Sequence, residues 1–338
     1  MADSIVHLKT VQPPLKIFTV WERNRHRAVH WFVECFAEFM GVFFYVYAGV
    51  GSQCLFILGH ILALEGLSSI LQVGIAYACG VIFAIVVCAS TSGGHFNPCI
   101  TITFMIFKGF PPLKGLRYIT AQILGGYIAC LLIYAQYRDM IVLAEGALAQ
   151  TGKSSLMFTP NGPGGIFGLY VTPGSNLGRV FLNEFVCDTM IALVIFGCLD
   201  PTNIFVTPPF IPVVIALAYA VAIWGFSAPG LAANAARDVG GRLVALTIWG
   251  TQASGGSYAA IAALTNIPAT LLAFVIHELF HADYARVIPS AQREFMMVHQ
   301  HHANNTVAGA GQHGTNVERS SSSTGEKAEI EVLERSAA

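Results

Sequence analysis

The sequence predicts an all-α membrane protein with six transmembrane helices and two re-entrant half-helices, arranged as an inverted repeat. Of the 338 residues, 54% are hydrophobic and only 11% are charged, whereas about a quarter of the residues in a soluble protein are charged. The mean hydropathy is +0.61. Several apolar runs are long enough to cross a bilayer, and a short Asn-containing stretch occurs twice, each time at the edge of an apolar run.

Six apolar runs approach the roughly 20 residues that a helix needs to span the membrane. They cover residues 31–54, 71–89, 116–137, 178–199, 210–227 and 259–280. Two shorter apolar stretches, 98–107 and 235–249, begin at the Asn-containing stretches. Re-entrant half-helices fit these two better than full spans, because irregular backbone at membrane depth is tolerated only where it lines a cavity.

Each Asn-containing stretch indicates a loop that turns into a helix. The first is residues 92–101 (SGGHFNPCIT) and the second is residues 229–238 (PGLAANAARD). Asn is a favoured N-cap, and Pro98 falls at the first helical position, where its missing N–H costs nothing. An Asn that caps with its side-chain oxygen leaves its amide NH2 for another partner. Two such amides, backed by two helix N-termini, form a polar site that repels cations.

The two halves of the chain repeat each other. Glu38 lies in the first span and Glu184 lies 146 residues later in the fourth, while Asn97 and Asn234 are 137 residues apart. Three spans per half place the second copy in the membrane in the opposite orientation. An inverted repeat of this kind places its special site near the midplane, between the halves.

The charge distribution predicts that both termini are cytoplasmic. Six spans put the termini on one side, and that side carries thirteen of the eighteen Lys and Arg residues. The net charge of −1 and the lack of a basic block exclude nucleic acid as a partner. Eight cysteines without CxxC spacing argue against a disulfide or zinc framework. Neither a Walker sequence nor an HExxH motif occurs, so we expect no enzyme activity, no cofactor and no metal.

The paired motifs on six spans, with glutamates at matching places, resemble the major intrinsic protein family, the aquaporins and aquaglyceroporins. The resemblance covers about residues 31–281 and implies an aquaporin-like fold. The usual Asn-Pro-Ala is replaced twice, by Asn97-Pro98-Cys99 and by Asn234-Ala235-Ala236. Both asparagines remain, so the donor pair is kept. Cys99 is larger than Ala, and we expect it to narrow or polarise the place where the half-helices meet.

The resemblance also implies a selectivity filter. Arg237 follows the second motif, as in the family, and counting back from the motifs gives Tyr77, Ala222 and Leu231 as the other filter positions. Water-selective members have a His at the place of Ala222. At the positions of Asp238, Arg242 and Pro268 the sequence resembles the glycerol-conducting branch more closely than the water-selective one. It departs from that branch at two filter positions, where Tyr77 and Leu231 replace the usual Trp and Phe. Alternatively, Arg237 snorkels to the surface, and Tyr77 and Leu231 only pack between helices.

Glu38, Glu184 and His95 are expected to hold the two loops in shape. The alternative for the two glutamates is that they are buried acids that serve only helix packing. The implied function is a passive channel for glycerol, other small uncharged solutes and water that excludes protons and ions. A water- or hydrogen-peroxide-selective channel and a closed-pore adhesion or scaffold protein remain as alternatives. The resemblance further implies a homotetramer in the lipid bilayer, and we expect the plasma membrane as its location.

The predicted organisation has three parts. A cytoplasmic N-terminal arm covers residues 1–30, a channel domain covers 31–281 with repeats at about 31–137 and 178–281, and a disordered cytoplasmic tail covers 282–338. The segment between the repeats, with its Gly- and Pro-rich turns around Phe167 and Tyr170, is expected to form an ordered cap over the mouth.

Overall fold

The computed structural model of the protein describes residue 6 and residues 8–12, 15–25 and 29–311. This part of the chain is helical and contains no strand. The α-helices in chain order are α1 (Leu8–Val11), α2 (Thr19–Arg25), α3 (His30–Ile61), α4 (Ile70–Ser92), α5 (Pro98–Phe107), α6 (Pro112–Gln150), α7 (Gly164–Phe167), α8 (Leu177–Leu199), α9 (Ile211–Phe226), α10 (Ala235–Trp249), α11 (Ser257–Leu264), α12 (Asn266–Ile276) and α13 (Ser290–Gly311).

The six predicted spans are confirmed. They comprise α3, α4, α6, α8, a span over Pro208–Phe226 that contains α9, and a span over Ser257–His281 that contains α11 and α12. Helix α6 continues well beyond the expected end at residue 137. With 39 residues it is about 58 Å long at 1.5 Å per residue, because no Pro interrupts the stretch that follows and the first left-handed glycine is Gly152.

The two half-helices are also confirmed. Helix α5 begins at Pro98, directly after Asn97, and α10 begins at Ala235, directly after Asn234. The outward faces of the full spans are apolar, as on α4, where Phe83, Val86 and Val87 are exposed. Such a surface is unsuited to water and fits a lipid environment. Each half of the bundle therefore contributes three spans and one half-helix.

Close packing of α10 against α6 depends on two glycines. A Cβ atom on Gly126 of α6 would lie 2.7 Å from the Ala236 carbonyl oxygen, and one on Gly240 of α10 would lie 2.7 Å from the Tyr127 backbone nitrogen. The obstacles are backbone atoms, which cannot swing aside as a side chain can. Small residues are what allows helix backbones to approach in a membrane. These glycines therefore set how deeply the second half-helix enters the bundle.

The tail differs from the expectation of disorder. Residues 290–311 form helix α13, and the Gln292 side chain donates hydrogen bonds to the backbone carbonyls of Asn203 and Val206. The first half of α13, SAQREFMMVHQ, contains several good helix formers and neither Gly nor Pro. The rest of the predicted tail, residues 312–338, lies outside the described residues.

Replacing Gly240 with Ala should destabilise the bundle. The added methyl group meets backbone atoms of α6, and overpacking of this kind costs about 1–3 kcal/mol. We expect a lower midpoint of thermal unfolding in detergent, measured by intrinsic fluorescence. The matched control is Gly146→Ala on α6, where a Cβ atom meets nothing within 4 Å, so its midpoint should stay equal or rise. Equal midpoints for Gly240→Ala and the wild type would contradict the packing argument.

Candidate functional site

The two half-helices meet end to end through their capping asparagines. Asn97 Oδ1 accepts a hydrogen bond from the Cys99 backbone N–H at 3.0 Å, and Asn234 Oδ1 accepts one from the Ala236 N–H at 2.9 Å. The Asn234 amide donates to the Phe96 carbonyl oxygen at 2.9 Å. That last bond ties the two loops together, so the N-termini of α5 and α10 lie next to each other inside the bundle. This bond uses one N–H of the Asn234 amide, and the second N–H remains available as a donor.

The first loop is held by Glu38, whose side chain is fully buried. Its carboxylate accepts hydrogen bonds from Ser92 Oγ at 2.6 Å, the His95 N–H at 3.0 Å, the Phe96 N–H at 2.8 Å and Gln122 Nε2 at 2.7 Å. Four donors around one buried carboxylate satisfy a group that would otherwise be costly to bury. Glu38 therefore ties the first loop to α3 and α6 through these bonds.

Glu184 does the same for the second loop. It accepts hydrogen bonds from the backbone N–H groups of Ala232 and Ala233 at 2.8–2.9 Å. The two loops share an unusual backbone conformation, since Phe96 has φ 46° and Ala233 has φ 58°. These two residues are 137 apart, as are the capping asparagines. Non-glycine residues at positive φ are strained, and in both loops the glutamate bonds the N–H of the strained residue.

His95 supports the first loop from its other side. Its Nδ1 lies 3.1 Å from Thr101 Oγ1, and its ring packs edge-on against Phe104 and Tyr118. The side chain is buried. His95 therefore joins the loop to the helix that follows.

Arg237 is only 3% exposed and does not reach the surface. The alternative in which it snorkels to the surface is therefore wrong. Its guanidinium donates to Tyr77 OH at 2.9 Å, Gln53 Oε1 at 3.1 Å and the carbonyl oxygens of Phe167 at 2.5 Å and Ile166 at 3.4 Å. In the described part of the chain, all of these acceptors are neutral. The guanidinium of Arg237 is therefore hydrogen-bonded only to neutral groups there, and no bonded carboxylate neutralises its positive charge.

The segment between the repeats forms the ordered cap that its turns predict. Phe167 and Tyr170 are buried. Asp238 and Arg242 form an ion pair at 2.7 Å, and both bind Leu169, since the Leu169 N–H donates to Asp238 and Arg242 donates to the Leu169 carbonyl. The cap thereby holds the Phe167 carbonyl in place for Arg237. A side-chain ion pair next to the second motif thus positions the neighbouring arginine.

A cavity of about 560 Å³ leads from the cap to the second motif. Three of the four predicted filter residues, Tyr77, Leu231 and Arg237, line it together with Asn234. Its remaining walls combine aromatic and apolar side chains with a few polar ones, and they include Tyr45, Gln53, Tyr219, Ile223 and Trp224.

Two of the residues singled out in the sequence do not line this cavity. Ala222 is fully buried and does not line the cavity, whose α9 wall is formed by Tyr219, Ile223 and Trp224. Cys99 likewise lies away from the cavity, because its fully buried thiol donates to Asn266 Oδ1 on α12 at 2.8 Å. Its side chain therefore does not face this cavity, and its effect where the half-helices meet stays a prediction.

Sequence reasoning missed Gln53 and Tyr219. Gln53 accepts from Arg237 and donates to the Gly165 carbonyl oxygen of the cap at 2.7 Å. An amide within an apolar run was a usable signal, because a polar group at membrane depth needs a partner. Tyr219 carried no such signal, since tyrosine also occurs in ordinary helix packing.

Comparison with known proteins decides the family. The profile of the family described as "Major intrinsic protein" matches residues 25–253. The chain belongs to the major intrinsic protein family. These proteins are channels and not enzymes, and the aquaporin and aquaglyceroporin resemblance noted from the two motifs is confirmed.

Relatives in this family are similar over most of the chain. An aquaporin-3 of Laccaria bicolor is 56% identical over 304 residues, which is 89% of this chain and 92% of that protein. A glycerol uptake facilitator protein of Pseudomonas aeruginosa is 32% identical over 67% of this chain and 78% of its own length. The crystal structure of the aquaglyceroporin from Plasmodium falciparum superposes with a TM-score of 0.63 at 21% identity, covering 74% of this chain and 96% of that one; it supports the fold.

Replacing Glu184 with Gln should loosen the second loop of this major intrinsic protein. Gln keeps one acceptor but turns an NH2 group towards backbone donors, and a buried donor left unsatisfied costs about 1–3 kcal/mol. We expect a lower midpoint of thermal unfolding and reduced transport in liposomes. Glu65→Gln, at an exposed position, is the control and should change neither. An unchanged midpoint in Glu184→Gln would show that the loop does not depend on this carboxylate.

Proposed function

We propose that the protein is a passive channel that conducts glycerol, similar small uncharged solutes and water, and excludes protons and ions. The observation that carries this proposal is the position of Arg237 in the cavity wall. Its guanidinium is held by neutral oxygens and shares that wall with the apolar Leu231. A polyol has hydroxyl groups along a carbon chain, so it needs hydrogen-bond partners on one side and an apolar wall on the other.

Solute passage follows from the order of groups along the cavity. The solute leaves water under the cap and exchanges its hydration for contacts with Arg237, while Leu231 and Ile223 face its carbon atoms. Without these contacts, each unsatisfied polar group would cost a few kcal/mol. Further in, the amides of Asn97 and Asn234 are the donors for a passing oxygen. No energy source is needed, because every step is an exchange of hydrogen bonds.

Exclusion of ions rests on positive electrostatic potential at two positions along the pore. Arg237 carries a charge that no directly bonded carboxylate neutralises, and the N-termini of α5 and α10 meet at the asparagines. Each helix N-terminus is equivalent to roughly half a positive charge. Channels use such dipole ends and arginines to exclude cations and protons.

The wider assembly is part of the same proposal. We infer a homotetramer in the plasma membrane, with each subunit forming its own pore and with both termini cytoplasmic. The charge bias of the loops supports this orientation. The division into an arm (1–30), a channel domain (31–281) and a tail (282–338) also remains a proposal, with a helix at the start of the tail. Molecular mass by light scattering, corrected for detergent, tests the tetramer.

Stopped-flow light scattering on purified protein in liposomes tests the transport proposal. We expect water permeability and glycerol permeability well above those of empty liposomes, both independent of pH and sodium gradients. Water flux without glycerol flux would favour the water- or hydrogen-peroxide-selective alternative. A folded protein without any flux would favour the adhesion or scaffold alternative.

Gly49→Ala should reduce glycerol flux more than water flux. A Cβ atom on Gly49 would lie 2.2 Å from the Tyr77 ring, so the ring must move away from α3 and into the cavity that it lines. A narrower filter excludes the larger solute first. Gly51→Ala is the matched control on the same helix, because a Cβ atom there meets nothing within 4 Å. Parallel losses of both fluxes in Gly49→Ala, or no loss, would contradict the role given to Tyr77.

A further inference from the structure

Gln53 connects Arg237 to the cap from within the wall of the cavity. It lies on α3 and lines the cavity, as do Tyr77 and Arg237. The Gln53 side-chain oxygen accepts a hydrogen bond from Arg237 Nη2 at 3.1 Å, and its side-chain nitrogen donates to the Gly165 carbonyl oxygen at 2.7 Å. The Tyr77 hydroxyl donates to the same Gln53 oxygen at 3.4 Å and accepts from Arg237 Nε at 2.9 Å. Gln53, Tyr77 and Arg237 therefore form a closed ring of hydrogen bonds in the cavity wall.

The hydrogen bonds around Arg237 leave few of its donors for a solute. A guanidinium group has five N–H donors. Nη1 donates to the Phe167 carbonyl oxygen, and Nη2 donates to the Ile166 carbonyl oxygen. Nε and the second N–H of Nη2 donate to the side chains of Tyr77 and Gln53. Within the described part of the chain, one N–H of Nη1 is left without an acceptor.

The acceptors of Arg237 differ in where they lie. Ile166 and Phe167 are fully buried and do not line the cavity, so their carbonyl oxygens bind guanidinium donors that are turned towards the cap. Gln53 and Tyr77 do line the cavity, so their oxygens bind donors on the cavity side. An oxygen atom of a passing solute would need those same donors. The two side chains therefore occupy positions in which solute hydroxyl groups would otherwise bind.

We propose that Gln53 is a specificity-determining residue of the filter, which together with Tyr77 withholds the cavity-side donors of Arg237 and thereby slows solutes that carry many hydroxyl groups. This inference rests on the proposed channel function and deepens it, because it concerns which uncharged solutes pass fastest. Each hydroxyl group gives up hydrogen bonds to water when it enters the filter. A water molecule or a diol needs few replacements, whereas each additional hydroxyl group finds no free donor.

Glycerol and propylene glycol are the probes that separate hydrogen bonding from size. Both have a chain of three carbon atoms, and glycerol has one more hydroxyl group. A filter that discriminates only by width treats the two nearly alike, whereas a shortage of donors slows glycerol alone. The measured quantity is the ratio of glycerol flux to propylene glycol flux through the protein, by stopped-flow light scattering in liposomes, after the flux across empty liposomes is subtracted.

Tyr77→Phe and Gln53→Leu each release one donor of Arg237. Tyr77→Phe frees Nε, keeps the aromatic ring and leaves the bond between Gln53 and the cap intact. Gln53→Leu frees one N–H of Nη2 and also removes the bond to the Gly165 carbonyl oxygen. One net hydrogen bond corresponds to about a fivefold change in rate, so we expect each variant to raise the flux ratio about fivefold. Should Gln53→Leu fail to fold, Gln53→Met removes the same oxygen and takes its place.

A second pair of the same residue types provides the matched controls. The Tyr47 hydroxyl donates to Gln136 Oε1 at 2.9 Å, and neither residue lines the cavity. Tyr47→Phe and Gln136→Leu therefore remove the same chemical groups from a place that the solute does not touch. Both control variants should keep the flux ratio of the wild type.

The outcomes separate this inference from the proposed function. If the wild type conducts and Gln53→Leu keeps its flux ratio, the inference is overturned and the channel stands. The same holds if Gln53→Leu changes the ratio and Tyr77→Phe does not, since the loosened cap then explains the change. A wild type that conducts only water, with glycerol flux appearing in both variants, supports the inference and shows that the wild-type filter excludes glycerol. If the wild type and both variants conduct water alone, the inference is overturned; if all three are folded and silent, both proposals fail.

Discussion

The structure depends on two buried carboxylates that hold strained loops in register. Glu38 and Glu184 each bind the N–H of a residue at positive φ, Phe96 and Ala233. A loop inside a membrane protein has no water to satisfy its backbone, so its donors need a protein acceptor. Because both loops are held in the same way, their half-helices start at corresponding points. The capping asparagines then meet, and the polar centre of the pore follows from that meeting.

The second constraint is the cost of burying the charge of Arg237. Two of its acceptors come from the cap, the carbonyl oxygens of Phe167 and Ile166. The cap is therefore part of the proposed selectivity filter as well as a cover over it. The pair of Asp238 and Arg242 fixes the cap, so this ion pair indirectly sets the position of Arg237. This explains why three charged residues cluster within one short stretch of α10.

The two halves of the repeat hold their loops in the same way, but they contribute different residues to the wall of the cavity. Both halves supply a glutamate, an asparagine cap and a strained residue, and the caps and the strained residues are each 137 residues from their counterparts. Arg237 comes only from the second half, and residues of both halves line the cavity with it. A selective pore needs its narrowest point at one place, so the copies keep the shared scaffold and differ in the residues that face solute.

The sequence by itself determined the spans, the half-helices, the caps and the braces, because each depends on local properties. Apolar length selects a span, Asn before a helix selects a cap, and a buried acid needs donors. It could not place the tail helix, the direction of Cys99 or the wall formed by α9. Helix α9 is apolar all round, so it has no polar face that reveals which side faces the cavity. Only packing against the other helices turned Tyr219 and Ile223 inward and left Ala222 buried.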